Sequence, residues 1–260
     1  MCGIVGGVTN REITPLLLDG LKRLEYRGYD SSGIVVLSKN NSLNRARSVG
    51  KVNNLVKNLK TRKSKIKGNI GIAHTRWATH GEPANHNAHP HISNQVVSVV
   101  HNGIIENYLE LKDSQIKKGY KFTSDTDTEV IAHAIDFAMQ SNNTLIHSVR
   151  KAIKTFEGSY GLGIISPHYP NTVIATRKGS PLVIGIGKYG NYIASDQLAL
   201  LSVTKKFIFL EDGDVAELKL EKITIYDKDG NKVNRPIKTT KIKAGQVDLG
   251  DYKHLSLIHI

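Results

Sequence analysis

The second half of the chain is a succession of short runs of strand-forming residues, separated by turn sequences. The runs occupy residues 160–166, 172–176, 182–186, 191–194, 206–210, 215–220 and 222–226. The turn sequences at residues 188–191 and 227–230 combine Gly with Asn or Asp, which predicts hairpins and therefore antiparallel pairing of the strands that they join. Because each sheet must bury its apolar face against another layer, the chain is constrained to a layered fold.

The first half mixes strand patterns with amphipathic helices. After an opening strand, further strands are predicted at residues 32–38, 43–49, 69–74 and 96–100. Helices are predicted at residues 14–28, 52–59, 106–118, 126–140, 144–156 and 196–201, the first with Thr14 as its N-cap and Pro15 at its first position. No linker interrupts the pattern before about Pro236. The sequence therefore favours one α+β domain, with two sheets face to face and helices outside.

Composition and charge exclude several classes of protein. The chain has 39% hydrophobic and 23% charged residues, which is ordinary for a globular protein, and its formal charge is +13. The densest basic stretch, from Lys57 to Lys67, contains no aromatic residues, which favours a solvated surface over nucleic-acid binding, the less favoured alternative. No apolar run reaches membrane-spanning length and no basic leader precedes the first strand. We expect a cytoplasmic protein with neither a nucleic-acid nor a membrane partner.

Cys2 is the only cysteine and directly follows Met1. It can form no intrachain disulfide, which fits a reducing compartment. A small residue at position two permits removal of the initiator methionine, and the thiol would then share its residue with a free α-amino group that can accept its proton near neutral pH. Cys2 is thus either an N-terminal nucleophile or a small buried apolar residue at the start of a strand.

Residues 75–95 form a long segment without periodicity, which is typical of a functional loop. Six of the 11 histidines lie between His74 and His101. Zinc binding is the competing interpretation, but this stretch has no cysteine and no helical i,i+4 histidine pair. Hydrogen-bonded loop histidines are favoured, and neither a metal nor a cofactor is predicted. The sequence also contains no P-loop, dinucleotide fingerprint or serine nucleophile elbow.

Several residues could serve a nucleophilic cysteine. Asn102 and Gly103 close a predicted strand, where an amide and a backbone N–H could stabilise an oxyanion, although Asn-Gly is also a common turn. Arg76 could bind a carboxylate and Trp77 could cover a ligand; the alternatives are a surface ion pair and a core aromatic.

Two aspartates precede the predicted helix at residues 126–140. Asp127 could receive a substrate ammonium group, while capping of the helix is its alternative function. Capping is the favoured interpretation for Asp125.

Several ordered motifs resemble those of the glutaminase domain of glucosamine-6-phosphate synthases, which are class II amidotransferases also called glutamine–fructose-6-phosphate aminotransferases. These motifs are residues 2–6 (CGIVG), 24–31 (LEYRGYDS), 74–81 (HTRWATHG), 101–107 (HNGIIEN), 126–129 (TDTE), 179–182 (GSPL) and 195–201 (SDQLALL). The resemblance covers nearly the whole chain and implies a four-layer αββα sandwich of the N-terminal-nucleophile type.

The resemblance also implies roles for the candidate catalytic residues. Cys2 would attack the side-chain amide of L-glutamine with its own α-amino group as the base. Asn102 and the Gly103 N–H would form the oxyanion hole, and Arg27 would help to place the N-terminus. Ammonia would leave first, and water would then release glutamate from a γ-glutamyl thioester on Cys2.

The remaining roles implied by the resemblance concern substrate binding. Arg76 would hold the α-carboxylate of glutamine and Asp127 its α-ammonium, while Trp77, Thr79 and His80 would complete the pocket together with Gly103.

The domain organisation expected from the resemblance places the amidotransferase domain at residues 1–240, with Met1 removed. Residues 241–260 would begin a linker to sugar-isomerase domains, although the tail from Leu255 to Ile260 departs from the family pattern. Fructose 6-phosphate would bind only to those domains, and the full enzyme is expected to be a homo-oligomer of the amino-sugar pathway. The alternatives are an inactive regulatory module of the same fold and the glutaminase domain of another class II amidotransferase.

Overall fold

A computed structural model of the protein describes residues 2–77, 81–141 and 143–242. Its strands are, in chain order, β1 (Gly3–Thr9), β2 (Ser31–Leu37), β3 (Leu43–Val49), β4 (Ile70–Arg76), β5 (His91–Ser93), β6 (Val97–Ile105), β7 (Gly158–Ile165), β8 (Val173–Lys178), β9 (Val183–Gly187), β10 (Gly190–Ala194), β11 (Lys206–Phe209), β12 (Val215–Leu218), β13 (Ile223–Tyr226), β14 (Lys232–Val233) and β15 (Ile237–Thr239). Its α-helices are α1 (Thr14–Leu24), α2 (Val52–Thr61), α3 (Tyr108–Lys117), α4 (Glu129–Met139) and α5 (Leu145–Ile153), with 3-10 turns at Glu25–Arg27 and Gln197–Leu200.

Two sheets organise the described residues. The first has eight strands in the order β15-β11-β9-β10-β1-β4-β2-β3, and the second has seven in the order β14-β13-β12-β8-β7-β6-β5. The pairings among these strands are antiparallel, including the predicted β9–β10 and β13–β14 hairpins. The nucleophile candidate therefore sits at the start of a central strand of the first sheet, and Asn102 lies in the second.

Three apolar clusters define the layers. One packs α1 and α2 on the outer face of the first sheet, through residues such as Leu21 and Leu55. A second fills the space between the sheets and includes Ile72 and Val100. A third packs α4 and α5 on the outer face of the second sheet, with Ile131 among its members. This arrangement confirms the expected four-layer αββα sandwich.

Helix α1 leads directly to one of the candidate site residues. It buries Leu17, Leu21 and Leu24 at the expected helical spacing and carries a proline in its first turn. The prediction that Thr14 caps this helix was wrong, because Ile13 occupies the N-cap position and the Thr14 hydroxyl contacts the Glu12 carboxylate instead. The helix ends in the 3-10 turn Glu25–Arg27, which brings Arg27 to the edge of the site.

Three short strands were not predicted: β5 within residues 75–95 (the histidine-rich segment), and β14 and β15 near the end of the described chain. For β14, only the hairpin turn that precedes it was predicted. Strand β15 pairs with β11 at the edge of the first sheet. Most of the predicted linker, residues 243–260, lies outside the described residues, as does Met1. No helix in the described part of the chain is both long enough and apolar enough to cross a membrane.

Candidate active site

Cys2 lies at the point where β1 begins, partly buried, beside the end of β4. The adjacent Gly3 pairs with Thr75 of β4, which sets Cys2 next to Trp77. The Trp77 backbone N–H donates to Cys2 Sγ at 3.2 Å, and the thiol lies 3.6 Å from the Trp77 carbonyl oxygen. Burial raises the pKa of the Cys2 thiol, and the Trp77 N–H opposes this in part. The thiol is therefore protonated at neutral pH and needs a base before it can attack.

Asn102 reaches Cys2 from the opposite sheet. It is buried in β6, and its Nδ2 donates to the Cys2 carbonyl oxygen at 3.2 Å. Its Oδ1 lies 2.9 Å from His74 Nε2. Asn102 and Gly103 lie inside a continuous strand rather than at a strand end or in a turn, so both of those expectations were wrong.

Gly103 follows Asn102 with a backbone that only glycine accommodates. Its φ is +130°, and a Cβ atom there would come 2.1 Å from the Ser159 carbonyl oxygen of the neighbouring strand. The position therefore leaves no room for a side chain next to the Asn102 amide.

Arg76 and Trp77 lie at the end of β4. Arg76 is buried, its guanidinium donating to the carbonyl oxygens of Gly81 at 2.9 Å and Glu82 at 3.3 Å and lying 3.7 Å from the Asp30 carboxylate. Both alternative predictions were wrong. Arg76 is buried, so it forms no surface ion pair, and Trp77 is 46% exposed, so it is not a core aromatic. The predicted pocket residues Thr79 and His80 lie outside the described residues.

The Trp77 indole covers Gly28, just after Arg27. A Cβ atom at Gly28, whose φ is +104°, would lie 2.4 Å from a ring carbon of Trp77. Glycine at position 28 thus lets the indole of Trp77, whose backbone N–H contacts Cys2 Sγ, approach the backbone just after Arg27.

Asp127 is buried and bound to the strand that carries Asn102. Its Oδ2 accepts the Ile105 N–H at 2.8 Å and lies 3.9 Å from His101 Nδ1. The turn that contains it is held by Glu129, whose carboxylate accepts hydrogen bonds from the backbone of Thr123 and Ser124. Capping does not describe Asp127, because the N-cap residue of α4 is Thr128.

Asp125 does not cap α4 either, so that prediction was wrong. It accepts hydrogen bonds from His86 Nε2 and Asn87 Nδ2, both at 3.2 Å, and Asn87 also donates to the Glu82 carbonyl oxygen at 3.1 Å. The bonds of His86 and Asn87 to Asp125 tie the histidine-rich segment to the turn that carries Asp127, and the bonds of Arg76 to Gly81 and Glu82 tie it to β4.

Arg27 is joined to the strand of the nucleophile through Ser195 and Asp196. Arg27 Nη1 lies 3.5 Å from Asp196 Oδ2, and that oxygen also accepts the Tyr26 hydroxyl at 2.6 Å. Ser195 exchanges two hydrogen bonds with Ile4, both at 3.0 Å: its Oγ accepts the Ile4 N–H, and its own N–H donates to the Ile4 carbonyl oxygen. No role was predicted for Ser195 and Asp196, although they lie in the motif at residues 195–201.

His74 of β4 forms a buried cluster with His89 and His91 of the histidine-rich segment. The rings of His74 and His89 lie 4.1 Å apart and those of His89 and His91 4.9 Å apart. Burial lowers the pKa of His74 to about 3 and those of His89 and His91 well below the ordinary value, so all three are neutral. Among the described residues, no three His, Cys, Asp or Glu side chains are placed to hold a metal ion.

Known proteins resemble this chain in sequence. Residues 74–202 match the family described as "Glutamine amidotransferase domain". The glutamine–fructose-6-phosphate aminotransferase (isomerizing) of Acinetobacter baylyi is 53% identical over 260 residues, which are all of this chain and 42% of that protein. The enzyme of the same name from Buchnera aphidicola is 50% identical over 255 residues, or 98% of this chain and 42% of its own length.

A solved structure also resembles this chain. The glutamine phosphoribosylpyrophosphate amidotransferase of B. subtilis, complexed with ADP and GMP, superimposes with a TM-score of 0.75 at 25% identity over 89% of this chain and 50% of its own. The present chain spans about two fifths of the length of the curated relatives it matches.

Proposed function

Since the chain belongs to the glutamine amidotransferase domain family, we propose that it hydrolyses the side-chain amide of L-glutamine with Cys2 as the nucleophile. The observation that carries the proposal is the 3.2 Å contact between Asn102 Nδ2 and the Cys2 carbonyl oxygen, which brings a hydrogen-bond donor from one sheet to the nucleophile of the other. Such a donor stabilises the negative charge that develops on an attacked carbonyl oxygen.

The first half of the reaction forms the acyl-enzyme. With Met1 removed, the α-amino group of Cys2 accepts the thiol proton while Sγ attacks the amide carbon of glutamine. The negative oxygen of the tetrahedral intermediate lies against Asn102 Nδ2 and the Gly103 N–H. The proton then passes to the amide nitrogen, the C–N bond breaks and ammonia leaves, so that a γ-glutamyl thioester remains on Cys2.

The second half releases the product. A water molecule gives its proton to the α-amino group and attacks the thioester at the same oxyanion site. The C–S bond breaks, glutamate leaves, and the proton returns to the thiol. The raised pKa of Cys2 favours this resting thiol form and makes an adjacent base necessary in each cycle.

Substrate binding depends on the amino-acid end of glutamine. Arg76 binds the α-carboxylate and Asp127 the α-ammonium, with Trp77, Thr79 and His80 closing the pocket. Arg27 places the N-terminus through Asp196, whose neighbour Ser195 holds Ile4 two residues from Cys2. The burial of Arg76 and Asp127 supports this role, because charge pairing is strong where water is excluded.

The relatives' names support a wider role. In a longer protein, the ammonia would be transferred to fructose 6-phosphate bound by sugar-isomerase domains, in a homo-oligomeric enzyme that supplies amino sugars in the cytoplasm.

The test is glutamate release from glutamine by the purified 260-residue chain, after intact-mass analysis has established whether Met1 is removed. We expect release by the wild-type chain, none by Cys2→Ala, and little with asparagine, whose amide is one methylene nearer to the Arg76–Asp127 pair. Equal rates for the wild-type chain and Cys2→Ala, or retention of Met1 in an active protein, would contradict the proposal.

A further inference from the structure

His74 lies on β4 in register with Ile4 of β1 and Gly33 of β2, and its side chain is fully buried. It faces the second sheet, where its Nε2 lies 2.9 Å from Asn102 Oδ1. This hydrogen bond links the strand beside the nucleophile to the strand that carries the oxyanion donor.

The Asn102 amide has a donor end and an acceptor end, so its orientation decides what faces Cys2. The donor end, Nδ2, lies 3.2 Å from the Cys2 carbonyl oxygen. The reversed amide would put Oδ1 in that place, where two acceptor oxygens would face each other. The productive orientation therefore requires that the partner at the other end of the amide be a donor, which assigns the His74 proton to Nε2.

The surroundings of His74 keep it in this state. It is buried against the ring of His89, with 4.1 Å between centroids, and at a pKa of about 3 it stays neutral across the pH range in which enzymes work. A neutral imidazole has a single N–H, and the polar groups against this ring are the Asn102 amide and the His101 backbone. Since Nδ1 has no hydrogen-bond partner among the described residues, Nε2 carries the proton that is donated to Asn102. Such a group can specify the direction of its partner.

We propose that His74 is a positioning residue that holds the Asn102 amide with its N–H directed at the oxyanion site. The proposal rests on the proposed glutaminase function and deepens it. Without substrate, Asn102 Nδ2 donates its hydrogen bond to the Cys2 carbonyl oxygen. During the reaction, the substrate oxyanion accepts that hydrogen bond instead. A residue that only filled space here would affect folding and would not act through Asn102.

The test compares kcat and KM for glutamine in a set of His74 variants. His74→Leu removes the donor, and we expect kcat to fall about 10- to 100-fold with KM changed less than about threefold, because the amide can then turn its oxygen toward the substrate. His74→Gln places an amide nitrogen where Nε2 lies and should recover most of kcat. His74→Asn places its amide nearer to Nδ1 and should not.

A double-mutant cycle separates positioning from packing. In an Asn102→Ala background, His74→Leu should lower kcat by less than about twofold, because no amide remains to orient. The packing control is His89→Leu, which replaces the stacked neighbour and should leave kcat of the folded protein within about twofold of wild type. Thermal melts of all variants record folding.

Several outcomes would overturn the inference. It fails if His74→Leu costs the same factor with and without Asn102, or if His74→Gln and His74→Asn have equal kcat values. The Gln and Asn pair decides the matter even if His74→Leu does not fold. Failure of the proposed function looks different, since the wild-type chain itself would then release no Cys2-dependent glutamate.

Discussion

The space between the two sheets is filled differently at its two ends. Along the inward face of β4, Ile70 and Ile72 belong to the apolar cluster between the sheets, whereas His74 and Arg76 continue the same alternation with buried polar side chains. One strand thus crosses from a dry core into the candidate site within four residues.

The strands next to and opposite β4 change at the same level. Ile4 of β1 belongs to the apolar cluster and is followed toward the chain start by Cys2, while Val100 of β6 gives way to Asn102. At the apolar end, shape and area hold the sheets together. At the polar end, each buried polar group needs a hydrogen-bond partner in a defined direction, because leaving the group unpaired costs more free energy than the hydrogen bond itself contributes. The two ends should therefore fail in different ways when they are mutated.

The largest effect on stability is expected at the apolar end. Ile70→Ala should lower the free energy of unfolding by about 2–5 kcal/mol, because it leaves a cavity between the sheets. Activity of the folded fraction should be unchanged, since Ile70 is about 13 Å along the strand from His74. Denaturant unfolding measures the first quantity, and Ile70→Val, at about 0.5–1.5 kcal/mol, is the matched control. A fall in kcat that tracks the lost stability would remove the distinction between the two ends.

Asn102→Ala should show the opposite pattern. We expect kcat to fall about 100- to 1000-fold, or about 2.7–4 kcal/mol in the barrier, with KM within a few-fold of wild type. Stability should fall by only about 1–3 kcal/mol, because the buried His74 N–H loses its acceptor.

The matched control for Asn102 is Ser98→Ala on the inward face of the same strand. The Ser98 hydroxyl donates to the His91 carbonyl oxygen at 3.2 Å, so this variant loses a buried hydrogen bond away from Cys2. Its kcat should stay near wild type. Comparable losses of kcat in both variants would mean that any buried polar change on β6 impairs the site, and that Asn102 has no special role.

The contrast between the two ends also explains which features could be predicted from sequence. Strand alternation, hairpin turns and helical spacing are local, so the layers and most of their elements were predicted correctly. The family resemblance implied that Cys2 and Asn102 meet, but no local pattern predicted that meeting, and the contact of His74 with Asn102 was not predicted at all. Their contacts depend on register and on the stacking of the sheets, which no local pattern encodes.

Particular errors had the same origin. Asn102-Gly103 has the composition of a turn, yet pairing with β7 keeps both residues in a strand. An aspartate just before a helix is a typical N-cap, yet the Asp125 carboxylate accepts hydrogen bonds from His86 and Asn87 instead. No local pattern distinguishes Ser195 and Asp196 from other polar residues, yet the fold places them, just after β10, beside Ile4 and Arg27. At Asn102-Gly103 and at Asp125, a contact between distant parts of the chain overrode the local preference.

The smallest effect concerns the pH dependence of stability at the polar end, and His89 is the position that isolates it. Burial holds the pKa of His89 well below its ordinary value, and the neighbouring His74 and His91 lower it further. Below about pH 6.5 the unfolded chain therefore binds a proton at this residue that the folded chain does not bind. The contribution of neutral His89 to the free energy of unfolding is therefore complete above about pH 6.5 and is lost as the pH falls toward the folded-state pKa.

The slope from one such histidine reaches about 1.4 kcal/mol per pH unit, which sums to about 2 kcal/mol between pH 7.5 and 5. His89→Leu removes this proton uptake, so its unfolding free energy should fall less than that of the wild-type chain over the same interval, by about that amount. Urea unfolding at pH 7.5, 6.5, 5.5 and 5 measures the difference, and Ile70→Val should keep the wild-type slope because it alters the apolar end without removing a titrating group. Parallel curves for His89→Leu and the wild-type chain would mean that His89 is protonated alike in both states, and the polar end would then not be the acid-sensitive part of the sandwich.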